Sequence, residues 1–153
     1  MNGGVARCGA SGGVATWEQL AKEVLQVSGA RKETAPVAVD TPGYSARTVE
    51  LGDNFTVAFE TIRGDRDTAL VFKGLPDDRC PCPHWGLVVS GQMKLSYRDH
   101  DETFEAGDIF YAPAGHLPFC TAGTELITFS PTDQINEVYA VIARNLMNQV
   151  PQA

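Results

Sequence analysis

Residues 80 to 84 read Cys-Pro-Cys-Pro-His, and a further histidine, His116, follows directly on Pro113-Ala114-Gly115. Thiolate sulfur and imidazole nitrogen are the donors of tetrahedral Zn²⁺ sites. The set Cys80, Cys82, His84 and His116 therefore suits a divalent metal, Zn²⁺ above all, better than it suits an ion that prefers hard oxygen. Iron is the weaker match, because oxygen-activating sites combine imidazoles with a carboxylate and keep positions open. A three-ligand version, with Cys80 or Cys82 beside His84 and His116, would keep one position for water or substrate. Such a site serves hydrolysis, isomerisation or oxygenation.

Two other readings of the stretch stand beside this one. Cysteine packs as a small hydrophobe and His84 can bond a backbone carbonyl, which gives a metal-free ligand-binding or regulatory module. A disulfide between residues two apart would be strained and labile, the property of a thiol-based redox sensor. The prolines bear on the choice. Pro81 and Pro83 push the residues before them out of the α region, so both cysteines follow an extended path. With a strand's period of two, Cys80, Cys82 and His84 face the same side. With polyproline's period of three, the two sulfurs diverge.

The elements that must position these residues are mostly strands. Short β-type runs bounded by Gly, Pro, Asn and Asp recur along the chain: ARTVEL, NFTVAFETI, TALVFKGL, HWGLVVSG, QMKLSYR, ETFEAGD, IFYAPA and ELITFSP. About eight strands at this spacing make a sandwich or barrel. Phe55, Val57 and Phe59 alternate onto one face, as do Met93, Leu95 and Tyr97. Glu60 falls on the face opposite Phe59, where a barrel interior would use it as an acid or base. Tyr111 is placed to line the barrel mouth, Cys120 to pack in the core, and His100 to sit in a solvated hairpin turn. On the strand that His84 opens, Gly86 would leave volume beside the histidine. Trp85, Leu87 and Val89 share the opposite face, whose apolar character calls for a cover such as a second subunit, and a homodimer is expected.

A helix is expected at each end. Thr16 and Gln19 form a capping box for a short N-terminal helix carrying Trp17, Leu20, Val24 and Leu25 on one face. Near the other end Ser130 is placed to cap and Pro131 to open an amphipathic helix over about 131–149, with Ile135, Val138, Tyr139, Ile142 and Leu146 in one stripe. Residues 1–15 read as a disordered N-terminus, 31–44 as a connector, and 16–153 as a single domain with its β-core over about 45–130.

Two segments read together resemble the paired motifs of the cupin family. In CPCPHWGLVVSG, six residues separate His84 from Gly91, so His84 stands where the family places a glutamate, and Cys80 and Asp78 stand where it places two histidines. In GDIFYAPAGHLPF, the spacing of Gly107, Pro113 and Gly115 matches the second motif. His116 comes earlier than the family's histidine, whose usual place Pro118 holds. The resemblance implies an all-β, cupin-like antiparallel barrel of the jelly-roll type that binds a small molecule beside a metal.

Composition excludes several classes of function. A chain of 153 residues with 43% hydrophobic residues suffices for one core. Its formal charge of −7, without a Lys/Arg cluster, argues against nucleic acid and against an anionic membrane surface. No apolar run reaches the roughly 20 residues of a membrane span. A cytoplasmic protein with thiols rather than structural disulfides is expected.

Overall fold

The computed structural model describes residues 28–148. The N-terminal stretch over 1–15 and the helix starting at Thr16 lie outside the described residues. The rest forms two antiparallel sheets, a short 3-10 turn (Pro76–Asp78) and one α-helix, α1 (Thr132–Asn148). One sheet has six strands in the order β1 (Val37–Thr41), β2 (Tyr44–Glu50), β3 (Phe55–Ile62), β10 (Glu125–Pro131), β5 (His84–Ser90) and β8 (Ile109–Ala112). The other has β4 (Arg66–Asp67), β9 (Leu117–Cys120), β6 (Gln92–Ser96) and β7 (Asp101–Glu105). The predicted barrel is thus a pair of facing sheets, the jelly-roll form of the same architecture.

Alternation explains the core. Along β5 the odd-numbered residues Trp85 and Val89 are exposed while Gly86 and Val88 are buried, and β8 buries Phe110 and Ala112 between exposed Ile109 and Tyr111. The inward residues Ile62, Val88, Met93, Leu95, Phe110 and Leu126 meet between the sheets. Each such side chain taken from water contributes about 1.5–3 kcal/mol. The chain crosses from β5 in one sheet to β6 in the other at Gly91, at φ 76°, where a Cβ would lie 2.4 Å from Thr124 Oγ1. Only glycine meets both demands. The outward face carries the predicted apolar row: Trp85 packs against Tyr111 and Phe55, with ring centroids 5.1 and 6.2 Å away.

Four expectations are corrected. The connector over 31–44 contains a strand, β1, which pairs with β2. TALVFKGL is no strand: Val71 and Phe72 both donate to the Thr68 carbonyl, and the buried residues Val71, Phe72 and Leu75 recur at helical rather than alternate spacing. Ser130 and Pro131 end β10 instead of opening the helix, which starts at Thr132, whose hydroxyl lies 3.0 Å from that of Thr56. Gly86 leaves no open volume, because the Phe110 ring occupies the place where its Cβ would be.

The helix folds over one end of the sandwich. Ile135 and Val138 join Val71, Phe72 and Leu75 in a second apolar cluster that includes Cys80 and Cys82. Asn145 Nδ2 donates to the carbonyls of Val71 and Lys73 at 2.8 and 2.7 Å, which fastens the helix to that turn. The result is a roofed cavity between the sheets.

Candidate metal centre and ligand cavity

The cavity holds about 270 Å³ and is lined chiefly by apolar side chains from both sheets and from α1. At its wall stand Cys80, His84 and His116, brought there by three different devices. His84 is the first residue of β5, and its register opposite Ala112 on β8 turns its ring inward. Cys80 and His116 are locked to each other by backbone: Cys80 N–H donates to the His116 carbonyl at 2.9 Å, and Gly115 N–H donates to the Cys80 carbonyl at 2.7 Å. Gly115 adopts φ 94°, the left-handed region that lets the chain turn His116 back toward the cavity.

One ligand-type atom from each of the three residues lies within 4.8 Å of the others. Cys80 Sγ is 3.3 Å from His84 Nε2. A tetrahedral Zn²⁺ with ordinary bond lengths sets sulfur and nitrogen ligands roughly 3.6 Å apart, so this pair already has the required spacing. The opposite ring atoms are held from behind. His84 Nδ1 lies 2.7 Å from Ser130 Oγ, and His116 Nδ1 donates to the Pro113 carbonyl at 2.7 Å. The carbonyl can only accept, so it fixes the His116 tautomer and leaves the Nε2 lone pair of His116 available, while the Ser130 hydroxyl holds the orientation of the His84 ring. The two rings meet edge to face, with centroids 5.0 Å apart.

Enclosure sets the protonation states. Burial, with the neighbouring His116, lowers the His84 pKa from 6.5 to about 3, and burial lowers that of His116 too. Both are neutral imidazoles near neutral pH, the form that ligates a metal. Burial raises the Cys80 thiol to about 12, so in the metal-free chain it keeps its proton. A cation bound there would displace that proton.

Cys82 is not part of the group. The chain bends at Cys82 instead of continuing as a strand, and its Sγ contacts the Pro83 carbonyl at 3.5 Å. The bend breaks the period of two, so the sulfurs of Cys80 and Cys82 have different surroundings; Cys82 is fully buried in the cluster beneath α1. Asp78 also stays outside, its carboxylate accepting from Gly74 N–H at 2.7 Å. Pro118 lines the cavity without offering a donor atom.

Of the two predicted pocket residues, Glu60 lies in the cavity wall and Tyr111 does not. Tyr111 is 51% exposed on the outward face, because its neighbours Phe110 and Ala112 take the inward positions of β8. Glu60 accepts from Tyr44 OH at 2.8 Å and from Thr128 Oγ1 at 3.1 Å. Cys120 also lines the cavity.

Sequence reasoning missed Ser130, Thr128 and Tyr44. The signal was present in ELITFSP, where Thr128 and Ser130 share the inward face with Leu126. Two hydroxyls on a core-facing alternation imply buried partners.

No protein-family model matches this chain, and no curated protein sequence matches it. Solved structures do resemble it. The polyketide cyclase RemF from Streptomyces resistomycificus aligns with a TM-score of 0.50 at 16% identity, over 70% of this chain and 80% of RemF. A structure from Rhizobium leguminosarum bv. viciae aligns with a TM-score of 0.50 at 13% identity, over 69% of this chain and 95% of the other. An RmlC-like cupin from Shewanella frigidimarina aligns at 18% identity with a TM-score of 0.46, over 67% of this chain and 88% of that one. The likeness is one of fold, a jelly roll of two antiparallel sheets.

Proposed function

We propose that this cupin-fold chain binds a small molecule in its roofed cavity beside a divalent cation, Zn²⁺ on ligand type, held by Cys80, His84 and His116. The observation that carries the reading is the convergence of one thiol and two neutral imidazoles within 4.8 Å on the wall of an apolar cavity. Each histidine is braced through its other nitrogen, as metal-ligating histidines are. A Zn²⁺ ion with three protein ligands supplies Lewis acidity and lowers the pKa of a bound water. The chain's own residues supply the rest: Ser130 and the Pro113 carbonyl orient the rings, and the helix roof keeps bulk water away.

A thiol switch is less well supported. Both thiols are buried and raised, Cys80 to about 12 and Cys82 to about 11, so neither presents the thiolate that exchange requires.

Titration calorimetry with Zn²⁺ on tag-free protein tests the proposal, together with the visible spectrum of the Co²⁺ form, in which a thiolate ligand gives a charge-transfer band. One equivalent should bind, and Cys80→Ser should lose the band and weaken binding by about 100-fold or more. Absence of stoichiometric binding, or an unchanged Co²⁺ spectrum in Cys80→Ser, would refute the assignment.

A further inference from the structure

The outward face of the six-stranded sheet, on the side away from the cavity, is apolar over three neighbouring strands. Phe129, Trp85 and Tyr111 stand in register across β10, β5 and β8, and Ile127, Leu87 and Ile109 form the next row of the same face. Phe55 meets the Trp85 ring edge to face, and Val89 extends the line of Trp85 and Leu87 along β5. Phe55, Trp85, Val89, Ile109, Tyr111 and Phe129 are each about two-fifths exposed or more, and Ile109 reaches 83%. None of these positions carries a charge.

Elsewhere the chain covers this face itself. Lys32 Nζ pairs with Glu125 at 2.7 Å and Arg47 Nη1 donates to the Ala35 carbonyl at 2.8 Å, so residues 31–35 reach from β2 to the start of β10 on this side. Ala35 and Val57 are buried. No such cover lies over β8, which is the last strand of its sheet and among the described residues pairs only with β5. The other large apolar side chains that are exposed, Val37, Leu70 and Met147, lie apart on β1, on the turn after Thr68 and on α1. Only the part over β10, β5 and β8 forms a continuous patch, and scattered residues need no partner whereas a patch does.

Side chains of this size at these exposures leave about 600 Å² of mostly apolar surface on each chain. That is the upper end of what the largest patch on a monomer reaches. Two copies placed face to face would remove roughly 1,200 Å² in total, the lower end of the range for specific, stable interfaces. We propose that the patch is the interface of a symmetric homodimer, in which Trp85, Ile109 and Tyr111 of one copy pack on the same face of the other. A second copy fits better than a basic partner. The chain has a formal charge of −7, but a basic partner would need acidic groups on the patch itself to be held in register, and these positions are uncharged. A face that is apolar throughout can complement itself, as a two-fold interface requires. The inference rests on neither the metal nor the ligand proposed above, because Cys80, His84 and His116 lie on the cavity side of the sheet.

Sedimentation equilibrium of the full chain is the test, with Ile109→Asp and Val89→Asp as variants on the patch and Met147→Asp as the control, an exposed apolar residue outside it. The wild type should sediment at twice the mass of one chain, with a Kd of about 1 µM or tighter. Ile109→Asp should weaken association about 100-fold or more, because dimerisation would then bury an unpaired carboxylate on each copy, and Val89→Asp should act in the same direction. Met147→Asp should change it by less than about twofold. A second readout asks what covers Trp85. In a Trp17→Phe background Trp85 is the only tryptophan, and its emission should move to the red when the dimer is diluted or when Ile109→Asp separates it. A thermal melt of each variant separates lost association from lost fold, and should Ile109→Asp not fold, Val89→Asp carries the test. The inference is overturned if the wild type stays monomeric at about 100 µM, if both patch variants associate as tightly as wild type, or if Trp85 emits as a water-shielded ring in a monomer, which would mean that the chain's own residues cover the face.

Discussion

Imidazoles occur in two regions of this protein under opposite conditions. At the cavity wall, His84 and His116 are enclosed, and burial drives both pKa values down. On the β6–β7 hairpin, His100 is exposed, stacked on Tyr97 with ring centroids 4.6 Å apart, and bonded to Asp99 at 2.7 Å. That hydrogen bond raises its pKa. The hairpin has as many acidic groups around its histidine as a metal site needs, Asp99 and Glu102 among them. It lacks a wall that excludes water. What makes a candidate site here is enclosure together with bracing from behind, not the density of titratable residues.

The sharpest way to break this comparison is to remove one imidazole from each region. His84→Ala should weaken Zn²⁺ binding by about 100-fold or more, while His100→Ala should change it by less than about twofold. Equal losses would show that the ion is not held where the geometry places it. Acid titration of the metal-free chain gives the next effect. The unfolded chain protonates His84 near 6.5 and the folded chain only near 3, so between those values the unfolded state binds more protons. Stability is therefore fully present above pH 6.5 and falls on acidification, at about 1.4 kcal/mol per pH unit for each such imidazole. His100 has the opposite sign: its raised pKa favours the folded state below 6.5, and that contribution is lost as pH rises. NMR of the ring protons should show His100 titrating above 6.5 and His84 still neutral at pH 5. A His84 midpoint near 6.5 would mean that the cavity is open to water.

Much of this arrangement was legible in the sequence, and the limits have physical causes. Alternation located β5, β6, β8 and β10, because a residue's face follows directly from its parity along a strand. The spacing to Gly91 placed His84 inward, and Pro113-Ala114-Gly115 brought His116 to the same wall. Parity does not extend through a bend, so Cys82 was grouped with Cys80 although the chain turns between Cys80 and His84. Tyr111 was assigned to the mouth from its nearness to Pro113, whereas its pairing with Trp85 puts it outside. Ser130 matched a helix cap in isolation. Its hydroxyl instead meets a residue 46 positions earlier in the chain, a contact that no local pattern contains.

That contact sets the smallest of these effects. Ser130 touches no ligand atom in the cluster; it bonds the far nitrogen of His84 and so sets the orientation of the ring. Ser130→Ala should leave the ion bound and the Co²⁺ charge-transfer band in place, since the sulfur ligand is untouched, while affinity falls about tenfold. Ser130→Thr keeps a hydroxyl and should recover most of that loss if the added methyl fits. A purely structural role would lower thermal stability in Ser130→Ala without moving metal affinity. Loss of affinity with an unchanged melting temperature in the metal-free chain would place the hydroxyl's effect on the ring it orients, which is where the enclosed region differs from the exposed hairpin.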